Sequence, residues 1–333
     1  MPQTTIVLPV YNGLRRSPDY LPQAIESVLA QTERDFELII VDDGSTEDYT
    51  EIMARYAADE RVRWVRKENG GQSSARNHGA RIGGGKWLAF IDQDDRWHPH
   101  RLEKTIKKMC DEDPRENGNV LVYGELDRID AIGRKVHKDF LQTGKLGVHP
   151  KMRLEDVLGK DAFVLPGTML MCRETFLKLG GFNESLSGYE DDELALRFYY
   201  YGRLSFISES LIDWRIYPDS YSYTERMDNS RRAYYKIIIE NHPDDELSGE
   251  YWVRDCVAPR FYYHWGWAQK RAIQSNNRQQ FQRASRALRD MRNDLKYKFR
   301  LRAIMLSITP WPIARLAYRY PTLGLVARRL LKK

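Results

Sequence analysis

The first hundred residues alternate between short apolar runs and segments with helical spacing, and this alternation limits the fold more than any other feature of the sequence. Residues 36–41 form a continuous apolar run, which is typical of a buried strand. Residues 20–32 place apolar side chains three and four positions apart, which is typical of a helix. The strand pattern recurs at residues 5–10, 62–65 and 87–91, and the helix pattern at 50–58 and 74–82. Later in the chain, residues 163–172, 204–207 and 211–214 also predict strands. Repeated β-α-β units predict a parallel sheet with helices on both faces.

Polar clusters follow several of these predicted strands. Asn12 comes after the first strand, Asp42 and Asp43 follow the second, and the segment 92–95, Asp-Gln-Asp-Asp, follows the run that ends at residue 91. Ligands of parallel sheets bind where the carboxyl ends of the strands meet. We therefore expect these clusters to line one site.

The aspartates at positions 92, 94 and 95 have a metal-binding and a structural explanation. Closely spaced carboxylates repel one another and favour a bound cation, and hard oxygen ligands suit Mg²⁺ or Mn²⁺. Such ions commonly also bind phosphate oxygens, so a diphosphate ligand follows from this hypothesis. The alternative is a solvated turn whose aspartates cap the next helix.

Two more segments also allow a binding and a structural explanation. Within residues 42–45 (Asp-Asp-Gly-Ser), a carboxylate could accept hydrogen bonds from a base or ribose, or the segment could be a turn with a helix cap. Gly70 and Gly71 precede a helix that contains Arg76, where a phosphate contact and a plain loop remain equally open. Residues 83–86 (Gly-Gly-Gly-Lys) precede a strand and lack the P-loop spacing, which excludes that motif.

Residues 190–193 (Glu-Asp-Asp-Glu) begin a segment with helical character that extends to about Tyr201. Acidic residues in a first turn interact favourably with the helix dipole, by about 0.3–1 kcal/mol each. Four consecutive carboxylates exceed what capping needs, so one of them could act as a general base in a substrate cleft. The residues alone leave both explanations open.

Size and composition exclude several classes of protein. A chain of 333 residues that is 42% hydrophobic can bury a core without disulfides or structural metals. Its cysteines, Cys110, Cys172 and Cys256, are widely spaced and contain no C-x-x-C pair, which favours a reducing compartment. We see neither a signal peptide nor a run of about 18 apolar residues, and we expect a cytoplasmic protein.

The C-terminal segment 286–333 is strongly basic, with thirteen Lys and Arg residues against two Asp residues. It also contains Leu, Ile, Trp and Tyr, and it reads as short helices over about 297–308, 314–320 and 323–331. This mixture predicts peripheral contact with an anionic membrane surface. The alternative is a helical extension packed on the preceding domain. We expect no nucleic-acid partner, because no recognisable nucleic-acid module accompanies the charge.

Together, the motifs resemble those of the family 2 glycosyltransferases. They occur in the family's order between about residues 4 and 200. The matching segments are Leu8-Pro9-Val10-Tyr11-Asn12, Val41-Asp42-Asp43-Gly44-Ser45, Asn69-Gly70-Gly71, Ser74-Ala75-Arg76-Asn77, Phe90-Ile91-Asp92-Gln93-Asp94-Asp95, Gly180-Gly181-Phe182 and Glu190-Asp191-Asp192-Glu193-Leu194.

The resemblance implies an α/β fold of the GT-A type, a Rossmann-like mixed sheet with helices on both faces, followed by a helical C-terminal extension. It implies Mn²⁺ or Mg²⁺ held by Asp94 and Asp92, and Asp191 as the general base with Glu190 in support. It also implies contacts to a nucleotide-diphosphate sugar, most simply a UDP-sugar, from Pro9, Tyr11, Asn12, Asp42, Asp43, Asn69, Gly71, Arg76, Asp92 and Gln93.

The implied organisation is a catalytic domain over residues 1–228, with a donor-binding half at about 1–110 and an acceptor half at about 111–228. A basic helical region follows at 229–333. The implied reaction moves one sugar, with inversion, to a hydroxyl of a glycan or lipid-linked acceptor. A sugar nucleotidyltransferase and a catalytically silent nucleotide-sugar-binding protein are the alternatives.

Two departures from the family pattern bear on the site. The Q-x-x-R-W signature of processive polysaccharide synthases is missing, so we expect a single transfer and not polymerisation. Many relatives carry a histidine where this chain has Tyr217. The sequence leaves open whether Tyr217 replaces that histidine in supporting a metal.

Overall fold

The computed structural model describes residues 2–15, 17–113, 118–144, 146–217 and 225–319. The chain divides into two compact units. Residues 1–157 with 161–230 form the first, here called the sheet unit, and residues 158–160 with 231–333 form the second, here called the helical unit. The first unit ends at Ser230 and the second also includes residues 158–160, while the catalytic domain over residues 1–228 and its two halves stay predictions.

The described part of the sheet unit contains nine strands in one mixed sheet. They are β1 (Thr4–Val10), β2 (Phe36–Asp42), β3 (Val62–Arg66), β4 (Trp87–Phe90), β5 (Arg96–Trp97), β6 (Val120–Ile129), β7 (Lys135–His137), β8 (Leu170–Cys172) and β9 (Arg203–Arg215). The strand order is β3-β2-β1-β4-β8-β6-β9-β5, and β7 pairs with β6. Strands β3, β2, β1 and β4 are mutually parallel, whereas β8 runs antiparallel to both β4 and β6. The mixed sheet of the expected fold class is confirmed.

The described residues also form thirteen α-helices. They are α1 (Tyr20–Leu29), α2 (Thr50–Tyr56), α3 (Gln72–Ile82), α4 (Arg101–Glu112), α5 (Phe140–Thr143), α6 (Leu154–Leu158), α7 (Arg173–Lys178), α8 (Glu190–Tyr201), α9 (Glu225–Asn241), α10 (Ala258–Gln274), α11 (Arg278–Asp290), α12 (Tyr297–Ile308) and α13 (Trp311–Arg319). Within these ranges, none of the helices combines the length and apolar composition that crossing a bilayer requires. The helix expected over 323–331, and residue 320 of the one before it, lie outside the described residues.

Helices cover both faces of the parallel strands because alternate side chains of a strand point to opposite faces. On one face, Ile6 and Leu8 of β1 pack in the same core as Leu21 of α1. On the other face, α3 comes so close that a Cβ on Gly79 would lie 2.4 Å from Cγ1 of Val7. Each buried Leu or Ile side chain stabilises this core by about 1.5–3 kcal/mol.

Strand β9 corrects the sequence prediction of two short strands over 204–207 and 211–214. It is one strand of 13 residues that pairs in parallel with β6. The pairing shifts register on either side of Glu125. These bulges accommodate the exposed polar residues that interrupt the apolar pattern of β9.

The strand expected over 163–172 is also shorter than predicted. Only Leu170–Cys172 forms β8, and a 3₁₀ turn occupies Pro166–Thr168. Phe163 has a φ of 51°, outside the extended region. Because proline has no N–H to donate to a sheet, Pro166 ends the extended run.

Candidate active site

The loops that follow β1, β2 and β4 are tied together by hydrogen bonds. The amide N–H of Tyr11 donates to Oε1 of Gln93 at 3.1 Å. The amide N–H of Asn12 donates to Oγ of Ser45 at 3.0 Å, and Oδ1 of Asn12 accepts from the amide of Thr46 at 3.0 Å. The carboxyl edge of the parallel strands is therefore one connected surface, as expected from the polar clusters. Pro9, by contrast, lies buried within β1.

Asp43 is a buried carboxylate that organises the loop before α3. It accepts hydrogen bonds from the amides of Gly70 at 3.0 Å and Gly71 at 2.7 Å, and from Nδ2 of Asn69 at 3.2 Å. Nζ of Lys67 lies 2.8 Å from the same carboxylate. Four donors around one carboxylate hold the loop in place and offset its charge, so Asp43 shapes this wall of the site.

The neighbouring carboxylate, Asp42, closes the turn that follows β2. Its Oδ1 accepts from the amide of Ser45 at 2.9 Å, and its Oδ2 lies 3.3 Å from Arg66. Gly44 between them has a φ of 74°, a conformation that L-residues rarely adopt. This turn sets the path of the loop that bonds to Asn12.

Arg76 connects the carboxyl edge of the parallel strands to α8, the helix that begins with the acidic residues. Its guanidinium is buried, lies 5.2 Å from the ring of Phe182, and donates to Asp92 at 2.6 Å and to Glu190 at 2.9 Å. Asp92 also accepts from Nε2 of Gln72 at 2.9 Å. The structure thus gives Arg76 an internal bridging role, and its contact with a phosphate stays a prediction.

Asp94 and Asp95 are held from the end of β9. Arg215 donates its Nε–H to the carbonyl of Asp94 at 2.8 Å and its amide N–H to Oδ1 of Asp95 at 2.9 Å. The hydroxyl of Tyr217 donates to Oδ2 of Asp94. Sequence reasoning located Tyr217 at this point of the family pattern, but it did not foresee that the hydroxyl contacts the predicted metal ligand.

The acidic segment forms the first turn of α8, as predicted. Tyr189, immediately before it, adopts a φ of 66°, a strained conformation for a residue with a side chain. Asp192 accepts from the amide of Ala162 at 2.9 Å, and Glu193 pairs with Arg197 at 2.6 Å.

These contacts assign three of the four acidic residues to structural partners, since Glu190 bonds to Arg76. The remaining residue, Asp191, is half-buried.

Two carboxyl groups of the site have strongly raised pKa values. Burial, and then the adjacent charges of Glu190 and Asp192, raises the pKa of Asp191 well above its ordinary range. Burial, and then the charges of Asp94 and Asp92, does the same for the pKa of Asp95. A carboxylate with a raised pKa is a stronger base, which suits the role predicted for Asp191.

The residues after β4 fit a divalent cation. Asp92 and Asp94 offer hard oxygen ligands at partly exposed positions, and the buried Asp95 lies beside them with a raised pKa that reflects excess negative charge. A cation would relieve this charge.

Among the described residues, one further group could hold a metal, formed by His98, Asp127 and Asp213. Arg96 lies 2.8 Å from Asp213, and Lys135 contacts Asp127, so cationic side chains already offset those carboxylates. Asp92 is offset in the same way by Arg76, at 2.6 Å, so paired cations do not separate the two groups. Asp92 and Asp94 are preferred because they follow β4 at the carboxyl edge of the parallel strands, where ligands of such sheets bind.

Contacts connect most of the predicted site residues into one network. Asp43 holds Asn69 and Gly71 at the start of α3, Gln72 of α3 bonds to Asp92, and Arg76 of the same helix reaches Glu190. Gln93 and Tyr11 join the network through the loop after β1. Asp94 and Asp191 lie one residue or two from its members. Their roles toward a ligand stay predictions.

The comparisons with known proteins agree on the family. The sequence model of glycosyl transferase family 2 matches residues 5–179. An uncharacterized glycosyltransferase of Rickettsia prowazekii is 30% identical over 220 residues, which are 65% of this chain and 64% of that protein. The putative teichuronic acid biosynthesis glycosyltransferase TuaG of Bacillus subtilis is 37% identical over 33% of this chain and 43% of its own length. In two longer Rickettsia relatives, the match covers only 18% and 22% of the relative's own length.

A solved structure shares the fold. The crystal structure of Staphylococcus aureus TarS 1–349 in complex with UDP-GlcNAc aligns with a TM-score of 0.64 at 18% identity, and the alignment covers 95% of this chain and 91% of that one. The family match extends over more than half of the chain and includes the strands that carry Asp43, Asp92 and Asp94. The protein described here is a member of glycosyl transferase family 2.

Proposed function

We propose that this protein transfers a single sugar from a nucleotide-diphosphate sugar to an acceptor hydroxyl, with inversion at the anomeric carbon. The observation that carries the proposal is the bridge formed by Arg76, which joins Asp92 at the donor edge to Glu190 in α8. Through this bridge, the carboxylates that suit a diphosphate-bound cation and the carboxylate that suits a base belong to one network.

In the proposed reaction, Asp191 accepts the proton of the acceptor hydroxyl. The acceptor oxygen forms a bond to the anomeric carbon, and the bond between that carbon and the diphosphate oxygen breaks with its electron pair on the diphosphate. Because attack comes from the face opposite the leaving group, the product is inverted. Glu190 supports Asp191 by raising its pKa and by anchoring the start of α8 to Arg76.

Asp94 and Asp92 would hold Mn²⁺ or Mg²⁺ on the donor side. The ion, when bound, supplies positive charge that stabilises the departing diphosphate. Tyr217 fixes the carboxylate of Asp94 by hydrogen bonding, and Arg215 fixes the backbone beside it. No carboxylic acid is then needed to protonate the leaving group, unlike in glycoside hydrolysis.

The donor is proposed to be a UDP-sugar and the acceptor a cell-surface glycan or its lipid-linked precursor. Support for the donor comes from the shared fold with TarS, which was solved with UDP-GlcNAc. Support for the acceptor comes from TuaG, whose name assigns it to teichuronic acid biosynthesis. Tyr11, about half exposed beside Asn12, and the loop that Asp43 organises would contact the nucleotide.

The enzyme is further proposed to act at the cytoplasmic face of a membrane through residues 286–333. Support comes from the excess of basic residues in that segment together with its aromatic and aliphatic side chains. A lipid-linked acceptor would be presented at such a surface.

The direct test is UDP release across a panel of UDP-sugars, with and without a glycan acceptor, in Mn²⁺, Mg²⁺ or excess chelator. We expect turnover with one donor, lost on chelation. Asp191→Asn should lower the rate by about 10²–10⁴-fold, the usual contribution of a general base. Asp94→Asn should raise the metal concentration at which the rate is half of its maximum, because one anionic ligand is lost.

The matched control is Asp35→Asn, the same substitution at an exposed position before β2. Its rate should equal that of the wild type. Release of pyrophosphate in place of UDP would indicate a nucleotidyltransferase, and tight nucleotide binding without turnover would indicate a silent binding protein. Full activity of both Asp94→Asn and Asp191→Asn would overturn the mechanism.

A further inference from the structure

The helical unit exposes apolar side chains on three of its helices. The large exposed ones are Tyr263 and Trp267 on α10, Tyr297, Leu301, Met305, Leu306 and Ile308 on α12, and Ile313, Leu316 and Tyr318 on α13. Scattered exposed hydrophobic residues are ordinary, but a contiguous set marks an interaction surface.

On α12, four of the five exposed apolar residues form one stripe, and the fifth, Leu306, lies on another side of the helix. Tyr297, Leu301, Met305 and Ile308 are spaced by four, four and three positions, which places them on the same side of a helix. Ala303 and Ser307, buried in the same helix, face the protein. The stripe therefore points away from the core of the helical unit.

Helix α10 lies beside α12 and α13, and it contacts α12 at Phe299, on a different side of that helix from the stripe. Tyr263 lies 6.0 Å, between ring centroids, from Phe299 of α12, and Nε2 of Gln274 donates to the hydroxyl of Tyr318 on α13 at 2.8 Å. Trp267, between these two contact points in the sequence of α10, is 71% exposed. Lys270 lies 5.5 Å from its ring. The exposed side of α10 is thus flanked by α12 and α13.

The charge of these helices has one sign. Helices α10, α12 and α13 together contain eight Arg and Lys residues and no Asp or Glu. Lys298 and Arg302 on α12 and Arg315 on α13 are exposed. A surface without carboxylates, with aromatic and aliphatic side chains between its cations, is complementary to an anionic phase that has an apolar interior.

We infer that the exposed sides of α10, α12 and α13 form a docking face for the interface of an anionic lipid bilayer. The face extends the membrane association proposed above for residues 286–333, because α10 lies outside that segment. The helices lie in the plane of the interface, with the stripe among the upper acyl chains and Lys298 and Arg302 at the phosphates. Trp267 inserts at the boundary between the headgroups and the acyl chains.

A second copy of the chain is a poorer occupant of this face. Two such faces would bring cations against cations with no carboxylate on any of the three helices to pair with them. Nucleic acid would satisfy the charge but would leave the aliphatic stripe of α12 in water. An anionic bilayer satisfies both features.

The test is co-sedimentation of the full chain with vesicles of phosphatidylglycerol and phosphatidylcholine, compared with vesicles of phosphatidylcholine alone. The wild type should partition to the anionic vesicles and be released by salt. The double variant Lys298→Glu with Arg302→Glu should partition at least about tenfold less. The double variant Leu301→Glu with Met305→Glu should lose binding to a similar degree, about tenfold or more.

Two matched controls separate the face from bulk properties. Lys107→Glu with Lys138→Glu makes the same change in net charge at exposed positions of the sheet unit. Leu247→Glu with Ile132→Glu places the same carboxylates at other exposed apolar positions. Both controls should partition within about threefold of the wild type, because they leave every residue of the docking face unchanged. Because all of these positions are exposed, circular dichroism and glycosyl transfer to a water-soluble acceptor should match the wild type.

The fluorescence of Trp267 gives a separate measure of insertion into the bilayer. Vesicles with brominated acyl chains should quench part of the tryptophan fluorescence of the wild type, and Trp267→Phe should remove that part. Binding that persists in both face variants would overturn the assignment of this face, even if the chain still has membrane affinity. Dimerisation, or binding of duplex DNA, that depends on Leu301 without any vesicle binding would overturn it as well.

Discussion

The loops after β2 and β4 leave the same edge of the sheet and both carry consecutive aspartates, yet Asp43 and Asp95 lie in different surroundings. Asp43 after β2 is surrounded by donors, with two backbone amides, an asparagine and Lys67 on its carboxylate. Asp95 after β4 accepts from one backbone amide, and the charges of Asp92 and Asp94 help to raise its pKa.

The difference indicates which carboxylates stabilise the fold and which are available to a ligand. A carboxylate whose partners are all internal holds a loop and adds stability. A cluster with excess negative charge destabilises the empty protein, and a cation bound there would return that free energy on binding. The first turn of α8 repeats the contrast, because Asp192 and Glu193 have internal partners whereas Asp191 has a raised pKa.

The largest effect we expect concerns the protonation of Asp191. Because its pKa is raised, the ionised base disappears as the pH falls through a value above the usual carboxyl range. At acidic pH, the kcat/KM of the wild type should then fall toward the kcat/KM of Asp191→Asn, which is about 10²–10⁴-fold lower than the wild-type value at neutral pH. A pH profile of both proteins measures this.

Glu190→Gln sharpens the same experiment. It removes a negative neighbour that raises the pKa of Asp191, so the acidic limb should move to lower pH. The amide oxygen of glutamine can still accept from Arg76. An unmoved limb would show that a group other than Asp191 titrates.

The next effect is on stability, through the buried cation that joins the two acidic regions. Arg76→Gln leaves Asp92 and Glu190 without their shared partner, and it should lower the free energy of unfolding by about 3–5 kcal/mol. Urea unfolding measures the loss. Arg81→Gln, an exposed position on the same helix, should change the free energy of unfolding by less than about 0.5 kcal/mol.

Arg76 also marks the limit of what the sequence could predict. Local patterns indicated α3 and, through the acidic stretch that begins it, the bounds of α8. Whether the guanidinium turned outward to a phosphate or inward to Asp92 and Glu190 depended in part on Glu190, which is 114 positions away. Local patterns contain no such information.

The same reasoning explains the other misses. Two apolar runs suggested two strands where β9 is continuous, because shifts in its register against β6 are set by the partner strand. The contact between Tyr217 and Asp94 joins residues 123 positions apart. The exposure of Trp267 could not be predicted either, since an aromatic residue at helical spacing is more commonly buried.

The comparison of the two loops can be tested by replacing one aspartate with asparagine in each, at Asp43 and at Asp95. Asp43→Asn exchanges an acceptor for an NH₂ group that faces N–H donors and Lys67. It should lower the free energy of unfolding by about 1.5–3 kcal/mol, the cost of losing hydrogen bonds to a charged group. Urea unfolding beside the exposed control Asp35→Asn measures it, and a loss equal to that of the control would contradict the assignment.

The smallest effect should have the opposite sign. In Asp95→Asn, Oδ1 can still accept from the amide of Arg215, while the repulsion from Asp92 and Asp94 is removed. Without metal at neutral pH, the free energy of unfolding should rise by about 1 kcal/mol, the scale of one like-charge contact near water. A raised pKa in the folded protein means that ionising Asp95 costs stability. The wild type should therefore lose that stability as the pH rises through the raised pKa, and Asp95→Asn should flatten the profile. If Asp95→Asn were as destabilising as Asp43→Asn, the carboxylates after β4 would be structural, and the argument for a cation at this edge would fail.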